Sequence, residues 1–407
     1  MTSATPWLGT KRVAFVPLFR SNAAPPDQIP PNWENVILNR VLFNPRPEAN
    51  GADRSLSAWL QAVSLRRADI EPLVLPMQTI ARQNVLPWDL DGIPWEGITL
   101  GQFLRNQGVQ AAQLVMLGGR PSGTSAGFWS RVVMAESNGV WLMELIHSLT
   151  GFVDLYPFPN DSDPVNRNIA TFDEMSATSQ SHPTIFTKNE LGWLGAGCIG
   201  RYQFGTSSGH GYILINNSSP PQFTPPDCTS GGVFAVRIGD DIPYVMVESR
   251  RKSDQFETGM SSTGDPQEMG ITSEGVIAYR VQIRNATNNV REGGKIPLYL
   301  LTQTALHAGE SIVLDNGVTL TVTAETPKGH IIRMEEPIVI EPGTVIVPWV
   351  TGANAEDARR ALEEKGLVAD FSGPMLNSEV LNQTPDGHTA VTKGSTVHLL
   401  MHKITNL

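Results

Sequence analysis

Apolar residues fall along this chain in three regimes. As far as residue 215, short apolar runs alternate with stretches in which apolar side chains recur every three or four positions. Residues 12–18 (RVAFVPL), 67–76 and 111–117 (AAQLVML) read as buried strands. Trp33, Val36, Ile37 and Val41 within residues 32–43, and Leu56, Leu60 and Val63 within residues 53–64, have helical spacing. Residues 138–150 predict another helix, stopped at Gly151, a residue suited to a left-handed C-cap. This alternation predicts a mixed α/β domain over residues 1–215. Within it, residues 205–211 (GTSSGHG), which carry His210, lack the lysine of a phosphate loop and read as a turn.

A polar, proline-rich stretch at residues 216–227 (NNSSPPQFTPPD) marks a boundary. Beyond it the period changes to short β-branched runs at roughly 10-residue spacing, at 233–238, 244–248, 275–283, 296–302, 311–314 and 319–323. Turn residues separate them, as at Asp315-Asn316-Gly317, so residues 216–342 predict an antiparallel β-sandwich. Residues 343–407 form a third, smaller pattern: a strand at 345–347, a helix over 353–365 with Ala358 and Leu362 on one face, Gly366 as its cap, then two strands. The fold class expected is therefore α+β, in three parts.

Composition narrows the partners. The chain is 40% hydrophobic and 17% charged with a net charge of −10, which excludes a general nucleic-acid binder and gives no attraction to anionic membranes. No apolar run approaches the roughly 20 residues that cross a bilayer, so membrane insertion is not expected. The first residues lack a basic start followed by an apolar run, so a cytoplasmic chain or one exported by another route is expected. The two cysteines, Cys198 and Cys228, leave two alternatives open. One is a disulfide closing a loop of roughly 30 residues, which adds about 3 kcal/mol in the chain-entropy account; the other is a pair of buried thiols. Trp88 and Trp95 read as loop or core anchors rather than stacking platforms.

Candidate chemistry concentrates in residues 143–154 (MELIHSLTGFVD). Positions 143 and 147 lie four apart and project from one helix face, with Glu144 beside them. Two histidines at that spacing, with the glutamate after the first, would bind zinc and present a general base to its water. A glycine then bends the chain so that Asp154 can return as third ligand, leaving the fourth position open for catalysis. Here the first position is Met143.

The surrounding motifs resemble the immune-inhibitor-A-type family of bacterial, metzincin-like metallopeptidases. The family pattern HExxHxxGxxD-L-Y is met by Met143-Glu144, His147, Gly151 and Asp154-Leu155-Tyr156. Its W-D-x-M-S turn is met by Phe172-Asp173-Glu174-Met175-Ser176, and its P-x-x-x-S/T-K-x-x-L-G-W segment by residues 183–193, from Pro183 through Lys188 to Trp193. Phe128-Trp129-Ser130 resembles the strand before the zinc helix, and residues 244–250 and 275–281 the family's C-terminal sandwich. The resemblance spans roughly residues 12–325. It implies His147 and Asp154 as zinc ligands, Glu144 as general base, Met175 as the floor of the site, and an extracellular setting. Met143 stands where the other histidine ligand belongs. A thioether is a soft, neutral donor that suits copper(I) rather than zinc-bound hydroxide. Loss of that ligand should weaken zinc by several kcal/mol. The expectation is that Met143 packs in the former pocket, that His147 bonds to Asp154, and that no cofactor is held firmly. Calcium at Asn160, Asp161 and Asp163 is the alternative to a solvated loop there.

The third pattern resembles a PASTA domain: Val347-Pro348-Trp349-Val350-Thr351-Gly352, then Ala358, Leu362, Gly366-Leu367, Gln383, Pro385, Gly387 and residues 391–397 (VTKGSTV). That resemblance implies contact with peptidoglycan fragments, or a spacer and packing role. Trp349 replaces the family's acidic residue. The function expected is that of a catalytically degenerate metallopeptidase homologue that binds a protein, a peptide or a cell-wall glycan. The alternatives are a hydrolase whose metal site is completed elsewhere, and a structural assembly protein.

Overall fold

The apolar runs of the first regime become one sheet. The structure, a computed structural model, describes the whole chain save residues 1–3, 21–30, 47–49, 81–90, 119–122, 157–166, 196, 219–227, 229–230, 260–269, 284–295, 338–342, 388 and 404–407. The central strand β1 (Gly9–Arg20) pairs in parallel with β2 (Ala68–Val74) on one side and β3 (Ala111–Met116) on the other. The edge strand β4 (Thr124–Ala126) is antiparallel to β5 (Trp129–Val133), which runs parallel to β3. Parallel strands are covered on both faces, which is why they read as unbroken apolar runs. Successive residues feed opposite layers: Val13, Phe15 and Val115 face one core, and Ala14, Val16 and Leu114 the other. Helices α1 (Trp33–Leu42), α2 (Leu56–Val63) and α4 (Asn138–Thr150) cover the first face, while α3 (Leu100–Asn106) covers the second. Ser55 caps α2 by accepting from the Ala58 N–H at 3.2 Å.

The second regime forms a sandwich. One sheet joins β6 (Ile199–Tyr202), β8 (Ala235–Ile238), β9 (Tyr244–Arg250), β10 (Gly275–Val281) and β11 (Leu298–Leu300). The other orders β7 (Gly211–Ile215) beside β14 (Gly329–Glu335), then β13 (Thr319–Thr326) and β12 (Ser311–Val313). Leu214, Val236, Val247, Ala278, Leu320 and Ile332 fill the space between them. Every pairing is antiparallel except β6 with β8. β6 and β7 precede residue 216, so the sandwich takes strands from both sides of the polar stretch. Cys198, just before β6, is disulfide-bonded to Cys228 with a Cα–Cα distance of 5.0 Å, which resolves the alternative the sequence left open. At the β12–β13 turn Gly317 has φ +85°, and the Val318 N–H donates to Asn316 Oδ1 at 3.2 Å.

The chain forms two compact units, Met1–Glu335 and Glu336–Leu407. In the second, β15 (Thr344–Ile346) pairs with β18 (Ala390–Thr392), and β16 (Val368–Ser372), β19 (Thr396–Lys403) and β17 (Ser378–Thr384) form a separate sheet in that order. Helix α8 (Ala355–Glu364) packs Ala358 and Leu362 onto Val380, Val397 and Leu399. Its chain leaves through Gly366 at φ +71°, as the cap reading anticipates. Gln383 Oε1 accepts from the Val350 N–H at 2.8 Å and its Nε2 donates to the Pro348 carbonyl at 3.0 Å. That is the physical reason this motif joins Gln383 to the distant Pro348-Trp349-Val350. Trp349 is exposed and packs one edge against Gly387, where an added Cβ would come within 2.5 Å of the ring.

Candidate functional site

Helix α4 starts at Ser137, whose side chain accepts from the Val140 N–H, and ends at Gly151 with φ +70°. The Gly151 N–H returns to the His147 carbonyl at 2.9 Å, and this left-handed cap turns the chain back along the helix. The reversal brings Asp154 to His147, with Nε2 to Oδ1 at 2.9 Å. His147 Nδ1 lies 2.5 Å from the Phe152 carbonyl oxygen. Both ring nitrogens therefore face acceptors, and the ring is satisfied only when both carry protons. Burial alone would lower the His147 pKa, but the hydrogen bond and charge of Asp154, helped by Glu144, outweigh it and raise the pKa above the ordinary value. The second Asp154 oxygen accepts from the Tyr156 hydroxyl at 2.9 Å. Burial first, then the Asp154 charge, push that phenol upward.

Glu144 lies one residue from the helix face that carries His147 and is 7% exposed. Burial is the main cause that lifts its pKa to about 7, with Asp154 adding to the rise and His147 and the Ser125 hydroxyl opposing it. Its Oε2 has no hydrogen-bond partner among the described residues. Its Oε1 lies against Gly123, where an added Cβ would approach to 2.4 Å. An open cleft of about 260 Å³ is lined by Ser125 of β4, His147 and the return from Gly151 to Asp154. Met143 is 5% exposed and belongs to the hydrophobic core on the α4 face of the sheet. Met175, also buried in that core, sits in α5 (Glu174–Ala177); its carbonyl accepts from the Leu155 N–H at 2.8 Å, tying α5 to the residue after Asp154. Among the described residues no three His, Cys, Asp or Glu side chains form a group that could hold a metal ion. Asn160, Asp161 and Asp163 lie outside the described residues.

Tyr156 and Ser125 had no assigned role in the sequence. Tyr156 closes the sequence Asp154-Leu155-Tyr156, two residues from the candidate ligand, and that spacing is the signal for it. Ser125 could not, because only the pairing of β4 with β5 brings it to the helix.

The other motif positions make buried structural contacts. Asp173 Oδ1 accepts from the Met175 N–H, and its Oδ2 takes the Thr184 N–H, the Thr184 hydroxyl and the Thr187 hydroxyl, at 2.7–2.9 Å throughout. Lys188, in α6 (Ile185–Glu190), is fully buried and reaches His182 Nδ1 at 3.1 Å and the Asn217 carbonyl at 2.9 Å. Burial chiefly, with Arg250 nearby, lowers its pKa to about 7. Trp193 donates to the Trp7 carbonyl at 2.9 Å and meets Trp59 edge-on.

The Glu144 environment has a consequence for stability. A carboxyl with a folded pKa near 7 binds its proton more tightly in the folded chain than in the unfolded one. Its contribution is fully present below about pH 4.5 and is lost as pH rises through 7. Glu144→Gln should therefore be more stable than the natural chain at pH 8 by about 1–3 kcal/mol, and by much less at pH 5. Urea unfolding at the two pH values measures the difference, and an equal gap at both would contradict it.

Residues 345–403 match the PASTA domain family. The chain matches no curated protein. Among the described residues no helix is long and apolar enough to cross a membrane.

Proposed function

We propose that the chain is a binding protein built on a metallopeptidase-like frame whose metal site has been lost. One observation carries this reading: His147 Nε2 and Asp154 Oδ1 are bonded to each other at 2.9 Å, while the third position of the spacing holds a core methionine. A histidine that anchors Nδ1–H on a backbone carbonyl presents Nε2 outward, as metal-ligating histidines do. Catalytic zinc needs three protein ligands, drawn from His, Cys, Asp and Glu, and an open position. The described residues offer two, already paired, and do not fit that need. The open cleft beside Ser125 and His147 then serves as a groove for a protein or peptide ligand. The PASTA domain at residues 345–403 favours a cell-wall glycan as a second contact.

The reading is tested on the purified full chain. After loading with excess zinc and gel filtration, well under one zinc per chain should remain, and casein should stay intact over hours. Stoichiometric zinc together with casein cleavage abolished by chelation would overturn the proposal in favour of a working hydrolase.

A further inference from the structure

A second cleft, of about 290 Å³, lies in the sandwich between the segment that follows β11 and strand β12. Arg167, Thr302, Gln303 and Ser311 supply its polar lining, and Leu306 and Ile312 its apolar lining. The Arg167 backbone is fixed, since its carbonyl accepts from the Leu300 N–H at 2.7 Å. Its Nη1 points back to the Leu301 carbonyl at 3.1 Å and the Leu300 carbonyl at 3.5 Å. That leaves the other edge of the guanidinium, the one carrying Nε–H. Nε is buried and without a hydrogen-bond partner among the described residues. Thr302 is 1% exposed, and its Oγ1 is likewise buried and unpartnered. Among the described residues no carboxylate pairs with Arg167. Two orphaned donors thus border one cleft, and a buried unpaired donor is unfavourable unless something completes it.

We propose that this cleft binds a small ligand carrying a carboxylate next to an apolar group. The Nε edge of a guanidinium presents two parallel N–H bonds, the geometry a planar carboxylate accepts in bidentate fashion. The Thr302 hydroxyl donates to the same group. The apolar body of the ligand rests against Leu306 and Ile312. The volume sits at the low end for small-molecule sites, which suits a ligand the size of one amino-acid residue. This site is separate from the His147–Asp154 cleft and stands or falls without it.

The test follows the Arg167 Nε–H resonance in the ¹⁵N-labelled full chain, assigned with Arg167→Lys, while carboxylates are titrated at constant ionic strength. Isocaproate and N-acetyl-leucine should each shift it saturably with Kd of about 1 mM, several-fold tighter than acetate. Tighter binding of N-acetyl-leucine identifies a peptide C-terminus; tighter binding of isocaproate identifies a free organic acid. Thr302→Val keeps the side-chain shape and removes only the hydroxyl. It should weaken binding about fivefold while raising the unfolding temperature of the free protein by about 2 °C. No saturable shift up to about 100 mM carboxylate, or binding of N-acetyl-leucine amide or phosphate as tight as that of N-acetyl-leucine, would overturn the proposal. So would Thr302→Val that binds as the natural chain does.

Discussion

Met143→His is expected to convert a chain that releases zinc on gel filtration into one that retains about one zinc per molecule. Position 143 lies one helical turn before His147, on the same face of α4. An imidazole there would supply the third ligand of a site whose other two are already neighbours. Each nitrogen or oxygen ligand of a zinc site carries about 3 kcal/mol when the total for four is shared out. Two terms oppose this gain. The His147–Asp154 bond must open, at about 1.5–3 kcal/mol for a charge-assisted contact. The new imidazole also replaces a thioether in a site that is 5% exposed, and free of metal it destabilises the fold. The first falls on the natural chain as well and cancels from the comparison, and the Nδ1–H of His147 is already held by Phe152, so Nε2 needs no reorientation. The net expectation is an affinity higher by about 100-fold, read by competition with a chromophoric chelator. The raised His147 pKa sets the sign with pH: zinc must displace a proton from Nε2, so affinity falls as the medium is acidified through that pKa. A Met143→His protein that folds, shown by an unchanged near-ultraviolet spectrum, yet binds zinc no better than the natural chain would refute the frame reading itself.

How much of this could be read from residue order differs between elements. Helix α4 falls on residues 138–150 as expected, because Ser137 and Gly151 fix its ends locally. The strands at 12–18, 111–117, 244–248 and 275–283 are found because each lies in a buried layer, where an apolar run has one reading. β6 and β7 go unread. Both are short; β6 carries Gly200 and Arg201 in four residues, and the apolar run of β7 (residues 212–215, YILI) is only four residues long, set between a glycine-rich turn and the polar stretch. The division at residue 216 follows composition, whereas strand pairing depends on contacts distant in sequence, and these bring β6 and β7 into the sandwich. In the site, the His147–Asp154 pair follows from spacing and a glycine cap. The lift of Glu144 does not, since it comes chiefly from burial, with the Asp154 charge adding to it, and the burial depends on the packing of α4 against β4, which spacing does not reveal. The roles of Asp173, Lys188 and Trp193 were equally hidden, because a motif shows that residues recur together and not what they touch. Here all three are structural: Asp173 caps the turn that carries Met175, Lys188 ties His182 to Asn217, and Trp193 packs on Trp7 and Trp59.

Arg250→Met is the substitution expected to damage the fold most, although Arg250 lies on β9 in the sandwich. The side chain is fully buried. Its Nη1 donates to the Phe172 carbonyl at 2.6 Å and to Glu248 Oε1 at 3.1 Å; its Nη2 donates to the His182 carbonyl at 2.8 Å and to Glu257 Oε1 at 2.8 Å. One guanidinium thus joins β9 and α7 (Gln255–Thr258) to both ends of the 172–182 segment beneath the site. Methionine fills much of the volume but leaves the Phe172 and His182 carbonyls and the Glu257 carboxyl without their donors. Glu248 keeps Tyr279, Asn217 and the Ile185 N–H, so its loss is tolerable. Glu257 keeps none for its Oε1, and its Oε2 has no hydrogen-bond partner among the described residues. Leaving two buried carbonyls without a donor costs about 1–3 kcal/mol each, so a loss of about 3–5 kcal/mol is expected at pH 7, where Glu257 is still largely protonated. The pH dependence separates this account from simple cavity formation. Burial raises the Glu257 pKa to about 8 even with Arg250 lowering it, so without Arg250 the group stays protonated to higher pH in the folded chain. The folded variant then binds more protons than the unfolded chain over a wider range, and its stability keeps falling as pH rises beyond 8. Urea unfolding should show the deficit of Arg250→Met growing between pH 7 and pH 9, with Arg250→Met/Glu257→Gln recovering part of it and flattening the slope. A deficit that is constant across that range, or below about 1 kcal/mol, would mean that Arg250 serves as packing and that its ion pairs do not hold the two regions together.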